Sequence, residues 1–230
     1  AICADVKETL RALIAATARE RSTEHARDAA ARVAALAARN WSSRRRQSVP
    51  LIEQRASQQP IHQDYLMLRI SEVLPADGIV LDEAPTSAAT LASVLKSNDR
   101  RSYYGLASGA LGFGVPGAIG ISLAQPLRPV VAVLGDGSAM YSIQALWTAA
   151  HLKLPITYVI VNNRSYRVIK ERLLALRKTD AFVAMDMKDP AIDFVAVATG
   201  LGLSAVRVSE AGGIDAALTH AIARGMPSLI

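Results

Sequence analysis

Residues 61–230 predict an α/β domain, with a parallel sheet in the middle of three layers and helices on both faces. Three observations carry that expectation. Short apolar runs, Gly78-Ile79-Val80-Leu81, Val130-Val131-Ala132-Val133-Leu134 and Ile156-Thr157-Tyr158-Val159-Ile160-Val161, recur between segments of helical periodicity. Runs this continuous suit strands buried on both faces, the condition of a parallel sheet under two layers of helices. Two of them end in polar turns, Gly135-Asp136-Gly137-Ser138 and Asn162-Asn163, and such strand ends are where α/β proteins bind ligands.

Taken in order, residues 5–18 place Val6, Leu10, Leu13 and Ile14 on one helical face. Residues 23–40 repeat the pattern with a narrow stripe of Ala26, Ala29, Ala30, Val33, Leu36 and Ala37, which suits packing against a partner and builds little core of its own. Residues 41–60, with Ser42, Ser43, three arginines, Gln58, Gln59 and Pro60, read as a linker. The division expected is therefore 1–60, a helical remnant and linker, and 61–230, the α/β domain. Within the latter, helices are expected near 62–74 (Leu66, Ile70 and Val73 inward, Pro75 as the stop), 87–96, 111–124, 142–152, 166–177, 192–198 and 213–223. Strands are expected at 78–81, Tyr103-Tyr104, 130–134, 156–161 and 203–208, with a further one starting at Pro227-Ser228-Leu229-Ile230. Trp147 and Phe194 are expected in the core.

Composition excludes several classes. At 230 residues and 51% hydrophobic the chain can bury a full core. The net charge of +6 is concentrated early: residues 1–60 hold 11 Lys and Arg against 6 Asp and Glu, residues 61–230 hold 15 against 14. Arg44-Arg45-Arg46 has no interleaved aromatics, so a solvated linker is expected there and no nucleic-acid partner. The single Cys3 leaves no internal disulfide and suits a reducing cytoplasm. No apolar run reaches the ~18 residues of a membrane span, and Asp5 and Glu8 do not fit a signal peptide. A start at Ala1 without methionine, and an end as a strand begins, predict a part of a longer polypeptide.

The chemistry centres on the two polar turns. Asp136 follows a buried strand, so its carboxylate projects past the sheet edge, and Gly135 and Gly137 let a phosphate approach the backbone. Ser138 can donate its hydroxyl and N–H to an anion near a following helix. A carboxylate and an Asn carboxamide at one edge suit a hard cation such as Mg²⁺, which takes its other ligands from phosphate and water. The competing structural reading of Asp136 is a helix N-cap.

This stretch resembles the cofactor motif of the thiamine diphosphate-dependent 2-oxo acid decarboxylase and acetolactate synthase family, in which a GDG turn and a downstream NN bracket the Mg²⁺-diphosphate. The likeness is to the benzoylformate decarboxylase branch, through Gly135-Asp136-Gly137-Ser138-Ala139, Tyr141-Ser142 and Ala145-Leu146-Trp147-Thr148-Ala149-Ala150. It extends upstream through Ser102-Tyr103-Tyr104 and Gly109–Pro116, and covers residues 60–230. The resemblance implies metal ligands Asp136, Asn163 and the Ser165 carbonyl, with cofactor contacts from Thr86, Gly109, Leu111, Asp136, Gly137, Ser138, Asn163, Ser165 and Tyr166. In it the Gly109 carbonyl accepts from the aminopyrimidine amine, and Leu111 wedges the cofactor into a V that brings this amine to the thiazolium C2–H. Leu111 and Ile169 would line the substrate side, although Ile169 suits a core position as well. Pro85 stands where the benzoylformate decarboxylase branch has threonine, and Arg164 and Arg167 where it has glycine, so neither the Thr86 contact nor an aromatic substrate follows directly.

The implied function is non-oxidative decarboxylation of a 2-oxo acid with thiamine diphosphate and Mg²⁺; the alternatives are an acetolactate synthase-type carboligase and a non-catalytic cofactor-binding subunit. In the family the glutamate that activates the pyrimidine comes from another domain on a neighbouring subunit. No catalytic acid or base is therefore assigned in this chain, which is expected to be inactive alone and to work as a homodimer or homotetramer. His25, His62, His151 and His220 lie away from the two turns and are expected at surface or capping positions.

Overall fold

The computed structural model describes residues 3–230. These form two compact units, one ending at Ser48 and one spanning Val49–Ile230. The first holds α1 (Val6–Arg19) and α2 (Thr23–Ala37). Each begins with a side-chain cap: Glu8 N–H donates to Asp5 Oδ1 at 3.0 Å, and His25 N–H to Ser22 Oγ at 3.1 Å. Neither helix buries a residue, so the stripes of Leu10, Leu13, Ile14, Val33 and Leu36 remain exposed.

The segment expected as a linker is largely helical. α3 (Trp41–Glu53) starts where Ser43 N–H donates to Asn40 Oδ1 at 2.9 Å, and it carries Pro50. Its last turn belongs to the second unit, where Ile52 is buried against a cluster that includes Met67, Leu68 and Val80. Linker-like composition hid this because only two apolar side chains, the buried Ile52 and the half-buried Val49, anchor the turn. The helix keeps its arginines outside.

From there the alternation follows expectation: α4 (Gln63–Val73), β1 (Ile79–Glu83), α5 (Ala88–Val94), β2 (Tyr103–Gly105), α6 (Gly114–Ala124), β3 (Val130–Gly135), α7 (Asp136–Met140), α8 (Ala145–His151), β4 (Ile156–Val161), α9 (Arg167–Arg177), α10 (Phe194–Gly200), β5 (Ser204–Ala205), α11 (Ile214–Ala223) and β6 (Ser228–Leu229). All strand pairs are parallel, in the order β2-β1-β3-β4-β6-β5. Successive side chains alternate between two cores, as strand geometry requires. Ile79, Leu81, Val130, Ala132 and Leu134 face the α6, α8 and α10 side, whereas Val80, Val131 and Val133 face α4, α5 and α11. On the second side Arg69 of α4 forks onto Asp215 of α11, with Nε–Oδ1 at 2.7 Å.

Three details differ from the sequence expectations. The helix expected over 142–152 is found as α8, beginning three residues later, and it is preceded by a short helix, α7, that starts at Asp136 itself and was not expected. Trp147 is not in the core: it is 56% exposed and stacks on His151 with ring centroids 5.0 Å apart. Leu146 and Ala149 point inward, and Trp147, one residue on from Leu146, is rotated about 100° away by helical geometry. The 203–208 strand pairs only through Ser204–Ala205. Phe194 is buried as expected.

Candidate functional site

The strand order fixes where a ligand can enter. From β1 the chain passes to β2 on one side, then returns to β3 on the other, so the loops after β1 and β3 diverge and leave a crevice at their carboxyl ends. Gly135 and Asp136 stand at the end of β3, Glu83 and the Ala84–Ser87 turn at the end of β1, and Asn162-Asn163 at the end of β4.

Asp136 is the first residue of α7 and 3% exposed. Its Oδ1 accepts from Gly137 N–H at 2.8 Å, and its Oδ2 is buried without a hydrogen-bond partner. Burial pushes this carboxyl above the usual carboxylate range, against the backbone N–H groups of Gly137, Arg164, Ser165 and Asn163 that favour the ionised form. Gly135 pairs with Val161 in the parallel β3–β4 ladder, so the two polar turns leave the sheet side by side. The N-cap position belongs to Gly135, which makes no side-chain cap.

The other residues fall into three groups. Ser138 is buried, Gly137 half-buried, and the Tyr166 ring lies over Gly137 so closely that a Cβ there would come within 2.9 Å of Tyr166 Cε1. Asn163 is exposed and Ser165 half-buried. The Ser165 hydroxyl donates to Met185 O at 3.0 Å, while the flanking peptides pair with the 185–187 segment: Tyr166 N–H to Met185 O at 3.0 Å, and Met187 N–H to Arg164 O at 2.9 Å. Arg164 holds a left-handed backbone, φ 53°, at the turn. Across the crevice, Gly109 has φ 76° and is exposed, Leu111 is half-buried, and Thr86 is half-buried with its carbonyl accepting from Gln63 Nε2 at 3.5 Å. Ile169 lies on α9 and is 46% exposed, so it is not a core residue. A cavity of about 890 Å³ opens on the α4 and α11 side of the β4 turn, bordered by His62, Asn162, Asn163, Arg164 and Arg207.

Sequence reasoning missed Glu83. It is 1% exposed, and its carboxylate accepts three backbone N–H groups at the start of α6: Gly112 at 2.6 Å, Phe113 at 3.1 Å and Gly114 at 2.6 Å. Burial raises its pKa, the three N–H groups lower it, and neighbouring Asp82 raises it. The available signal was an acidic pair, Asp82-Glu83, ending an otherwise apolar strand. His62, expected away from the two turns, borders the cavity beside the β4 turn and also caps α4, its Nδ1 accepting from Asp64 N–H at 3.1 Å.

The donor chemistry fits a diphosphate-bound Mg²⁺ better than an all-protein metal centre. No group of three or more His, Cys, Asp or Glu side chains gathers among the described residues. A single buried, unpartnered carboxylate oxygen at the end of β3, next to the β4 turn, is the kind of partial oxygen shell that a phosphate-bearing ligand completes.

Comparison with known proteins agrees with this geometry. Residues 85–230 match the family model described as thiamine pyrophosphate enzyme, C-terminal TPP binding domain, and the chain belongs to that family. It is 34% identical over 171 residues to benzoylformate decarboxylase of Pseudomonas aeruginosa, covering 74% of this chain and 32% of that protein. To the acetolactate synthase large subunit of Parasynechococcus marenigrum it is 29% identical over 170 residues, 74% of this chain and 27% of the other. Among solved structures, the thiamine diphosphate-dependent 4-hydroxybenzoylformate decarboxylase of Rhodococcus jostii superposes with a TM-score of 0.70 at 35% identity, covering 76% of this chain and 32% of that one. The chain thus spans about a third of the length of these relatives. Among the described residues no helix is long and apolar enough to cross a membrane.

Proposed function

We propose that this chain supplies the diphosphate- and Mg²⁺-holding half of a thiamine diphosphate-dependent decarboxylase of 2-oxo acids, similar to benzoylformate decarboxylase. The observation that carries it is the orphaned Asp136 Oδ2, buried at the end of β3 where the β4 turn converges. Asp136, the Asn163 side-chain oxygen and the Ser165 carbonyl would hold the cation. Gly137 and Ser138 would face the diphosphate, with Tyr166 against the same turn. Gly109, Leu111 and Thr86 would meet the rest of the cofactor, and Leu111 and Ile169 the substrate side. Thiamine diphosphate supplies an electron sink for the loss of CO₂. The chain's own contribution is to bind, orient and exclude water. The pyrimidine-activating carboxylate would come from the pyrimidine-binding domain of a neighbouring subunit in a homodimer or homotetramer, and this domain would begin at Val49, ahead of the division at residues 60 and 61 that composition suggests.

A carboligase of the acetolactate synthase type is the second reading, favoured by the likeness to such a large subunit; product analysis with pyruvate separates the two. The site itself is tested by Asp136→Ala and Asn163→Ala. Each is expected to abolish Mg²⁺-dependent thiamine diphosphate binding, followed by fluorescence or calorimetry, while circular dichroism stays that of the wild type. Wild-type retention of the cofactor by either variant would remove the assignment.

A further inference from the structure

Leu106–Leu111 runs from the end of β2 towards α6 without regular structure. Among the described residues, none in this stretch makes a backbone–backbone hydrogen bond. Gly109 and Leu111 lie on it, so whatever fixes the downstream end decides where they stand. That end is Gly112. Its N–H donates to Glu83 Oε1 at 2.6 Å, and its carbonyl accepts from the Ser142 hydroxyl at 2.8 Å. Gly112 has φ 98°, and a Cβ on it would come within 2.7 Å of Tyr141 Cβ, so the peptide is also wedged against the α7–α8 turn.

We propose that Glu83 is a positioning residue: acting through Gly112 together with Ser142, it holds Gly109 and Leu111 where the cofactor needs them. The inference rests on the cofactor roles proposed above for those two residues. A buried carboxylate is costly unless fully hydrogen-bonded, and a fork of two oxygens on three converging N–H groups is what a carboxylate satisfies. Oε1 takes Gly112 and Phe113, and Oε2 takes Gly114. An amide of the same shape would turn an NH₂ towards one of these donors and leave it unpaired. Glu83 ends β1 and Ser142 follows α7, so the clamp ties the loop to both walls of the crevice. The diphosphate anchors of β3 and β4 are left outside it.

The test uses Glu83→Gln and, as a milder variant on a half-buried hydroxyl, Ser142→Ala, both in the full-length active enzyme, with and without cofactor. Hydrogen exchange at the Gly112 and Gly114 amides, measured without cofactor, should accelerate about tenfold or more in Glu83→Gln and less in Ser142→Ala. Amides of β3 should keep wild-type protection. With cofactor, kcat should fall about tenfold, while KM and thiamine diphosphate affinity stay within about twofold. Unchanged loop exchange, or a cofactor affinity that falls as far as kcat, would overturn the role of Glu83. If β3 loses protection in Glu83→Gln, Ser142→Ala alone decides, and wild-type loop exchange and kcat in that variant would overturn it. A wild-type protein that takes up no thiamine diphosphate would instead overturn the functional reading, and the inference with it.

Discussion

At the scale of single residues, two adjacent carboxylates at the end of β1 show how burial and hydrogen bonding compete. Asp82 Oδ2 accepts from the Tyr103 hydroxyl and Oδ1 from Ala84 N–H, both at 2.9 Å. Burial still pushes its pKa above the usual carboxylate value, because those two bonds replace only part of the lost hydration. A carboxylate with a raised folded-state pKa contributes stability that is fully present below its unfolded pKa and lost as pH rises through the folded one. Tyr103→Phe removes a donor to the ionised form, so its destabilisation should grow with pH, reaching about 1–3 kcal/mol at neutral pH. Urea titrations at about pH 4 and about pH 7 measure the difference, and equal losses at both would contradict the coupling. Leu111→Ala belongs at the same scale. It should leave diphosphate affinity within about twofold yet slow cofactor C2–H exchange in the active holoenzyme, read by proton NMR, because the proposed anchor and the proposed wedge are separate residues.

Among elements, α6 is the one whose approach to the sheet is most demanding. A Cβ on Gly114 would collide with Leu134 Cδ2 and stand 2.5 Å from Glu83 Oε2, so the helix start lies directly on β3 and β1. Gly114→Ala should therefore cost about 1–3 kcal/mol, visible as a lowered melting temperature, despite alanine's better helix propensity. The α3 helix makes the opposite case. Residues 41–60 read as linker by composition, and the burial of Ile52 with Val49 packed beside it shows that the final turn is core. Ile52→Ala is expected to cost about 2–5 kcal/mol by urea unfolding, whereas a change at the exposed Arg46, Arg46→Ala, should stay within about 0.5 kcal/mol. The apolar strands and the longer amphipathic helices were legible because their period is written in the chain. The short α7 was not, since the sequence shows residues 135–138 only as a polar glycine turn.

For the whole molecule, the expected outcome is that these 230 residues alone are catalytically silent. They hold the proposed diphosphate anchors and no carboxylate assigned to the pyrimidine, and such an acid–base partner is worth ~10²–10⁴-fold in rate. Purified chain assayed for CO₂ release from benzoylformate and from pyruvate, with thiamine diphosphate and Mg²⁺, checks this. Turnover near the ~10 s⁻¹ of ordinary enzymes would show the assignment incomplete. By itself the sequence determined the parallel α/β class, the strands that build it and the two polar turns at their ends. Those features are local: apolar runs bury, glycines turn, and a carboxylate after a strand faces the edge. Only the tertiary structure decided that the two turns converge on an unpartnered Asp136 oxygen, that Trp147 faces solvent, and that Glu83 grips the start of α6. Each of these depends on which distant backbone comes within hydrogen-bond reach, and that is set by strand order and helix packing, which no local pattern encodes.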